Sequence, residues 1–210
     1  VIVPPNLFHQ PKRLRAGFSL VEMLVVATIL TVLLTTTGGW TKSWRSQQML
    51  AAATRLSQDL QLARTLAIKR AQPVELRFYS NLDPLLTTPE AQYKTWQIVG
   101  YDARERRIAP LGEVQHFEST IIMSRFAEFS TITLNERPLD PTSDSMPTLL
   151  PTRISSIEFR PDGSTSLDPD PARHWTITLI TDGFANDSRN LPPDFRTLII
   201  TPENGAITVY

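Results

Sequence analysis

Arg15-Ala16-Gly17-Phe18-Ser19-Leu20-Val21-Glu22-Met23-Leu24-Val25-Val26-Ala27-Thr28-Ile29-Leu30-Thr31-Val32-Leu33-Leu34 holds the longest apolar run of the chain, and its length and single carboxylate set the architecture. Thr35, Thr36 and Thr37 extend the run, because a threonine hydroxyl can return to the helix backbone. At 1.5 Å per residue, roughly 20 residues cross a hydrocarbon layer of ~30 Å, so a helix over 18–37 is just long enough. Lys12, Arg13 and Arg15 directly precede it, and the positive-inside rule then keeps 1–17 cytoplasmic and sends the remainder outward. Hydropathy alone also admits a cleaved secretory signal or a plain signal anchor. The Thr-Thr-Thr-Gly-Gly-Trp stretch after Leu34 has no clean small-residue cleavage site, and the run exceeds most signal-peptide cores. Glu22 fits neither alternative, since a carboxylate inside an apolar helix costs on the order of 2.5–3.5 kcal/mol on insertion scales and calls for a named partner.

The whole chain has 210 residues, 41% of them hydrophobic, enough for one folded domain with an appendage. It has no cysteine, which excludes disulfides, thiolate metal sites and cysteine nucleophiles. His9, His116 and His174 are its only histidines, too few for a histidine-rich metal site. The net charge of zero conceals an asymmetry. Residues 1–72 carry nine Lys/Arg against Glu22 and Asp59, and 73–210 carry twelve against nineteen Asp/Glu. An acidic head is a poor polyanion binder, so nucleic acid is not expected as a partner.

Gly38-Gly39 weakens the helix after the apolar run and marks a candidate bend. Trp40 and Trp44 follow, placed either for a membrane interface or for packing on the head. From Ser43 to Ala71, Met49, Ala52, Leu56, Leu60, Ala63 and Ala67 recur at three- and four-residue spacing, which predicts one apolar helix face. Pro73 ends the helix. As one rod, 18–71 would measure about 80 Å.

Beyond Pro73 the period changes to two. Val74, Leu76 and Phe78 alternate with Glu75, Arg77 and Tyr79, which predicts a half-buried strand. Further strands are expected over 94–101, 119–124, 130–134, 153–160, 174–181, 195–201 and 206–210. Pro161-Asp162-Gly163 and Glu203-Asn204-Gly205 are turn signals, the second a hairpin. The stretches 81–92 and 136–152 are expected as surface loops, the second carrying Pro138, Pro141, Pro147 and Pro151. No repeat emerges.

Catalytic signals are absent. Gly163-Ser164-Thr165-Ser166 lacks the spacing of a nucleophile elbow, and there is no phosphate-binding or dinucleotide fingerprint. Asp168 and Asp170 stand in Asp-Pro-Asp-Pro, best suited to a solvated turn. Asp182-Gly183-Phe184-Ala185-Asn186-Asp187 offers oxygen ligands but not the spacing of an EF-hand, so no metal, cofactor or catalytic residue is assigned.

Gly17-Phe18-Ser19-Leu20-Val21-Glu22 ahead of a long apolar helix closely resembles the class III leader of type IV prepilins and type II secretion pseudopilins. The resemblance implies that a prepilin peptidase cuts between Gly17 and Phe18 and N-methylates Phe18. It also implies that Glu22 pairs with a neighbouring subunit's terminal amine during assembly. Residues 55–74, with Ala63-Arg64 and Ala67-Ile68, resemble minor pseudopilins of the GspH/FimT type. The likeness resumes at Phe159-Arg160-Pro161-Asp162-Gly163-Ser164 and again at Leu198–Gly205. The proline-rich insertions also resemble those of cassette protein D, a pilin-like member of multi-gene cassettes in Verrucomicrobia.

The implied fold class is α+β and pilin-like: a long N-terminal transmembrane and amphipathic helix packed on an antiparallel β-sheet head. The implied organisation is a cytoplasmic leader over 1–17, a transmembrane half over 18–37, an amphipathic half over 38–72 and a periplasmic head over 73–210. The implied partners are other pilin or pseudopilin subunits, the prepilin peptidase, an inner-membrane assembly platform and membrane lipid. DNA-binding relatives use basic residues near the carboxyl end, where this chain reads Asn-Gly-Ala-Ile-Thr-Val-Tyr. The alternative is a single-pass, membrane-anchored periplasmic binding or enzymatic domain.

Overall fold

The structure is a computed structural model that describes residues 19–82, 91–102, 107–118, 120–140, 153–170 and 174–210. The chain divides into two units, Val1–Ser43 and Trp44–Tyr210, and the helix α1 (Leu20–Arg70) contributes to both.

Within the second unit, α1 buries the face that the spacing predicts. Met49, Ala52, Ala53, Leu56, Leu60, Ala63 and Ala67 are at most 8% exposed. Four of these are alanine, the best helix former and the smallest side chain that keeps one. On the outer face, the Thr54 and Thr65 hydroxyls donate to the carbonyls of Leu50 and Gln61, one turn back. The helix stops one residue before the sequence-based boundary. Ala71 adopts a left-handed φ of 50°. The amides of Ala71 and Gln72 then donate to the carbonyls of Ile68 and Ala67, both at 3.3 Å. These two bonds close the last turn as a Schellman motif, and Pro73 follows it.

Ten strands form one antiparallel sheet among the described residues. They are β1 (Val74–Leu82), β2 (Ala91–Asp102), β3 (Arg107–Pro110), β4 (Gln115–His116), β5 (Ile121–Met123), β6 (Arg137–Pro138), β7 (Arg153–Phe159), β8 (Trp175–Thr181), β9 (Arg196–Thr201) and β10 (Ala206–Val209). The order is β10-β9-β8-β5-β2-β1-β7-β6, with β3 and β4 also paired to β2. Val74, Leu76 and Phe78 of β1 lie in register with Phe159, Ile157 and Ser155 of β7. Val74, Leu76, Phe78, Ile157 and Phe159, together with Trp96 and Ile98 of β2 and Trp175, Ile177 and Leu179 of β8, form one core with the helix face. The second face of β1 is not left to water, as simple alternation suggests. Arg77 and Tyr79 are fully buried there. Arg77 Nη2 lies 2.8 Å from Glu75 Oε2, and the Tyr79 hydroxyl donates to Gln97 Oε1 at 3.2 Å.

One expected strand is something else. Residues 130–134 lie in a 3₁₀ turn, Thr131–Asn135. Hydroxyls take the place of the backbone ladder along this edge of β8. Ser130 Oγ accepts the Thr178 amide at 2.9 Å, and Thr131 Oγ1 accepts the Thr176 amide at 2.7 Å. Thr131 Oγ1 in turn donates to the His174 carbonyl at 2.9 Å. Serine and threonine compete with sheet pairing in this manner. The expected loops are shorter than the sequence suggests: Asn81 and Leu82 belong to β1, Ala91 and Gln92 to β2, and Arg137 and Pro138 to β6. Glu136, Leu139 and Asp140 are described outside any strand, and 83–90 and 141–152 lie outside the described residues.

Leu60 is fully buried and Leu62, two positions on, is 48% exposed. Leu60→Ala should cost about 2–5 kcal/mol by loss of burial and cavity formation, and Leu62→Ala less than about 0.5 kcal/mol. Urea unfolding of the full chain in detergent, followed by tryptophan fluorescence, measures both.

Candidate functional site

Among the described residues, the amino-terminal part of α1 has no apolar partner within its own unit. Leu20, Val21, Met23, Leu24, Val25, Val26, Ile29, Leu30 and Val32 are between 45% and 82% exposed. Successive positions step about 100° around a helix, so these residues cover its whole circumference. The polar groups between them are turned inward to the backbone. The Thr28 hydroxyl donates to the Leu24 carbonyl at 2.7 Å and the Thr31 hydroxyl to the Ala27 carbonyl at 2.7 Å. Glu22, in the first turn, is the only charged group from Leu20 to Val32, and it is exposed.

Gly17 and Phe18, the expected cleavage and methylation residues, lie outside the described residues, as do the side chains of 33–43, Trp40 included. Trp44 is 65% exposed and so does not pack on the head. Among the described residues no helix is long and apolar enough to cross a membrane. The described apolar part, Leu20–Val32, would measure about 20 Å.

The head contains a second constellation, assembled from the three separate stretches that carry the pseudopilin resemblance. Arg64, half-buried on α1, donates from Nε to the Gly163 carbonyl at 3.2 Å. Gly163 has φ +86° and Gly205 has φ +63°, conformations that only glycine adopts without strain. A Cβ on Gly205 would stand 2.6 Å from the Gly163 carbonyl oxygen and 3.2 Å from Arg64 Cδ. The two turns are also joined directly, by the Thr165 amide donating to the Pro202 carbonyl at 2.8 Å. Asp162 stabilises the first turn by accepting from the Ser164 hydroxyl at 2.6 Å and the Ser164 amide at 2.9 Å. These two bonds hold its carboxyl below the usual aspartate range. The junction clamps the end of α1 to two turns, and its parts are structural.

A further clip escapes sequence reading altogether. Trp96 Nε1 donates to Asp59 Oδ2 at 2.8 Å, and the Arg55 guanidinium lies 5.7 Å over the same indole while also reaching Gln115. The only sequence signal was an Arg-Asp pair at i,i+4 on the helix.

The catalytic and metal candidates do not converge. Among the described residues no group of three or more His, Asp or Glu could hold a metal ion. The Asp187 carboxylate accepts the amides of Arg189 and Asn190, which hold it below its usual range and commit it to its own turn. Asp168 is exposed, and its backbone carbonyl, not its carboxylate, accepts Trp175 Nε1 at 2.7 Å. His116 and His174 are exposed.

A family model described as type II transport protein GspH matches residues 52–191, about two thirds of the chain. A second, the prokaryotic N-terminal methylation motif, matches residues 12–38. No curated protein sequence matches. Solved structures of similar fold include the type IV minor pilin FimU of Pseudomonas aeruginosa, at 18% identity and a TM-score of 0.44, covering 78% of this chain and 89% of that one. The minor pseudopilin EpsH from the Type 2 Secretion System of Vibrio cholerae aligns at 11% identity and a TM-score of 0.42, over 78% and 96% of the two chains. GspH of E. coli aligns at 14% identity and a TM-score of 0.43, over 79% and 89%.

Gly205→Ala should destabilise the head by about 1–3 kcal/mol, because it combines a left-handed backbone with a clash on Gly163. Thermal unfolding of the variant checks this. Because the folded Asp162 value is depressed, its stabilisation is present above the unfolded value of about 3.9 and is lost as pH falls through the folded one. Asp162→Ala should therefore be less stable at neutral pH and lose less of its unfolding midpoint on acidification, as read by a pH series of melts.

Proposed function

The chain belongs to the type II transport protein GspH family, and on that footing we propose that it is a minor pilin or pseudopilin, a non-catalytic subunit built through its helix into a type II secretion pseudopilus or a type IV pilus. The observation that carries this reading is the exposed apolar surface around the whole helix from Leu20 to Val32, in which Glu22 is the only charged residue and the Thr28 and Thr31 hydroxyls are bonded to the backbone. Apolar area exposed to water is unfavourable by about 25 cal/mol per Å², so such a helix requires lipid or other helices around it. A subunit that is first stored in a bilayer and then packed into a filament meets both environments in turn.

Prepilin peptidase cuts between Gly17 and Phe18 and N-methylates Phe18, a reading supported by the methylation-motif match over 12–38. Residues 18–37 then anchor the subunit in the inner membrane, with the head of 73–210 in the periplasm and the assembly platform as a further partner. Cleavage leaves a cationic amine at Phe18 near the hydrocarbon. Two opposite charges in that environment offset their desolvation only when they are close. Glu22 of one subunit therefore seats the amine of the next, which fixes their axial stagger. Nothing in this role needs a catalytic group or a bound cofactor.

Intact-mass measurement of protein purified from membranes should show loss of residues 1–17 with one added methyl group. An intact terminus, or a cut after Thr37, would point instead to a membrane-anchored domain or a secretory signal. Glu22→Ala should leave cleavage unchanged and lower co-purification with the fibre about tenfold or more, the scale set by an uncompensated buried charge. Unchanged incorporation contradicts the role given to Glu22.

A further inference from the structure

On the face of the sheet away from α1 lies a groove of about 390 Å³. Pro73, Val99, Tyr101 and Ile108 give it apolar walls, and Glu75 and Glu158 stand side by side in it as a cross-strand pair of β1 and β7. The two carboxylates differ. Glu75 is neutralised by Arg77 at 2.8 Å. Glu158 is half-buried and, among the described residues, has no ion pair or side-chain hydrogen bond. A half-buried carboxylate with no cation on it among the described residues, beside an apolar wall, is complementary to a long aliphatic stem ending in a cation, as in lysine or arginine.

We propose that this groove receives a lysine or arginine from the helix of a neighbouring pilin-type subunit in the fibre, stem against Val99 and Ile108 and cation on Glu158. The charge distribution of the chain supports that occupant. Between Trp44 and Arg70, Arg55 and Arg64 are held by the chain's own head, which leaves Arg45, Lys69 and Arg70 exposed on the helix, whereas 73–210 carries nineteen acidic and twelve basic residues. A neighbour of the same build presents a basic helix to an acidic head. The contact would add a second, lateral attachment to the axial one at Glu22. This inference rests on the assembly role proposed above.

The test is photo-crosslinking in cells that make the intact fibre, with benzoylphenylalanine in place of Tyr101, which is 44% exposed on the groove wall. The expected result is a light-dependent adduct that peptide mass spectrometry assigns to the helix of a second pilin-type subunit, next to a lysine or arginine. Glu158→Lys should lower the adduct yield about fivefold, the scale of one partly exposed ion pair, and changing the partner's cation to glutamate should restore it. Glu128→Lys, on an exposed acid away from the groove, makes the same change in net charge and should leave the yield unaltered.

A chain that co-purifies with the fibre but gives no adduct overturns the inference and leaves the assembly role standing. The same holds for an adduct only with lipid or the assembly platform, or for one indifferent to Glu158→Lys. A chain absent from the fibre overturns both.

Discussion

The contact between the small-residue face of α1 and the inner face of the sheet is the constraint to which the rest of the head conforms. Met49, Ala52, Ala53, Leu56, Leu60, Ala63 and Ala67 share one buried cluster with Phe78, Trp96, Phe159 and Trp175. A larger residue at an alanine position would have to displace a sheet already packed at crystal-like density. The strand order follows from the same demand. β1 leaves the helix end through a tight Schellman turn and becomes a central strand, so the first strand after the helix is already under it.

Two polar devices keep that core closed at its margins. At one, Ser130, Thr131, Thr176 and Thr178 exchange hydroxyl and backbone hydrogen bonds, so an edge of β8 is satisfied without a paired strand. At the other, Arg64 reaches from the helix to the Gly163 carbonyl and lies against Gly205. Its guanidinium binds the Arg160–Ser164 and Pro202–Gly205 turns to the helix end. Both devices spend side-chain hydrogen bonds on backbone groups that would otherwise be buried without partners.

The two parts of α1 carry different patterns of apolar surface. From Met49 onward one face is apolar and the other is threonine, glutamine and arginine, the pattern of a helix half in a core and half in water. From Leu20 to Val32 the apolar surface is continuous and the threonine hydroxyls are folded back on the backbone. On the proposed assembly role these demands are consistent, since one helix would serve as lipid anchor, filament core and foundation of the head.

Sequence alone determined whatever depends on neighbours a few residues apart. The apolar length around Glu22, the buried helix face at three- and four-residue spacing, the alternation of Val74, Leu76 and Phe78, and the glycine turns at Gly163 and Gly205 are all local patterns with a local physical cause. The proposed leader residues Gly17 and Phe18, which lie outside the described residues, were read in the same way, from a short contiguous motif. Tertiary structure decided what needs a distant partner. Residues 130–134 have a strand-like composition but become a 3₁₀ turn, because the amides of Thr176 and Thr178, more than forty positions away, take their hydroxyls. β3, β4 and β6, with four, two and two residues, are too short to carry a period and exist only because β2 and β7 pair with them. Arg64, Gly163 and Gly205 meet, and Glu158 comes to stand beside Val99 and Ile108, only once the sheet has closed. A linear sequence records the residues at such points but not the distances between them, and the distances fix the chemistry.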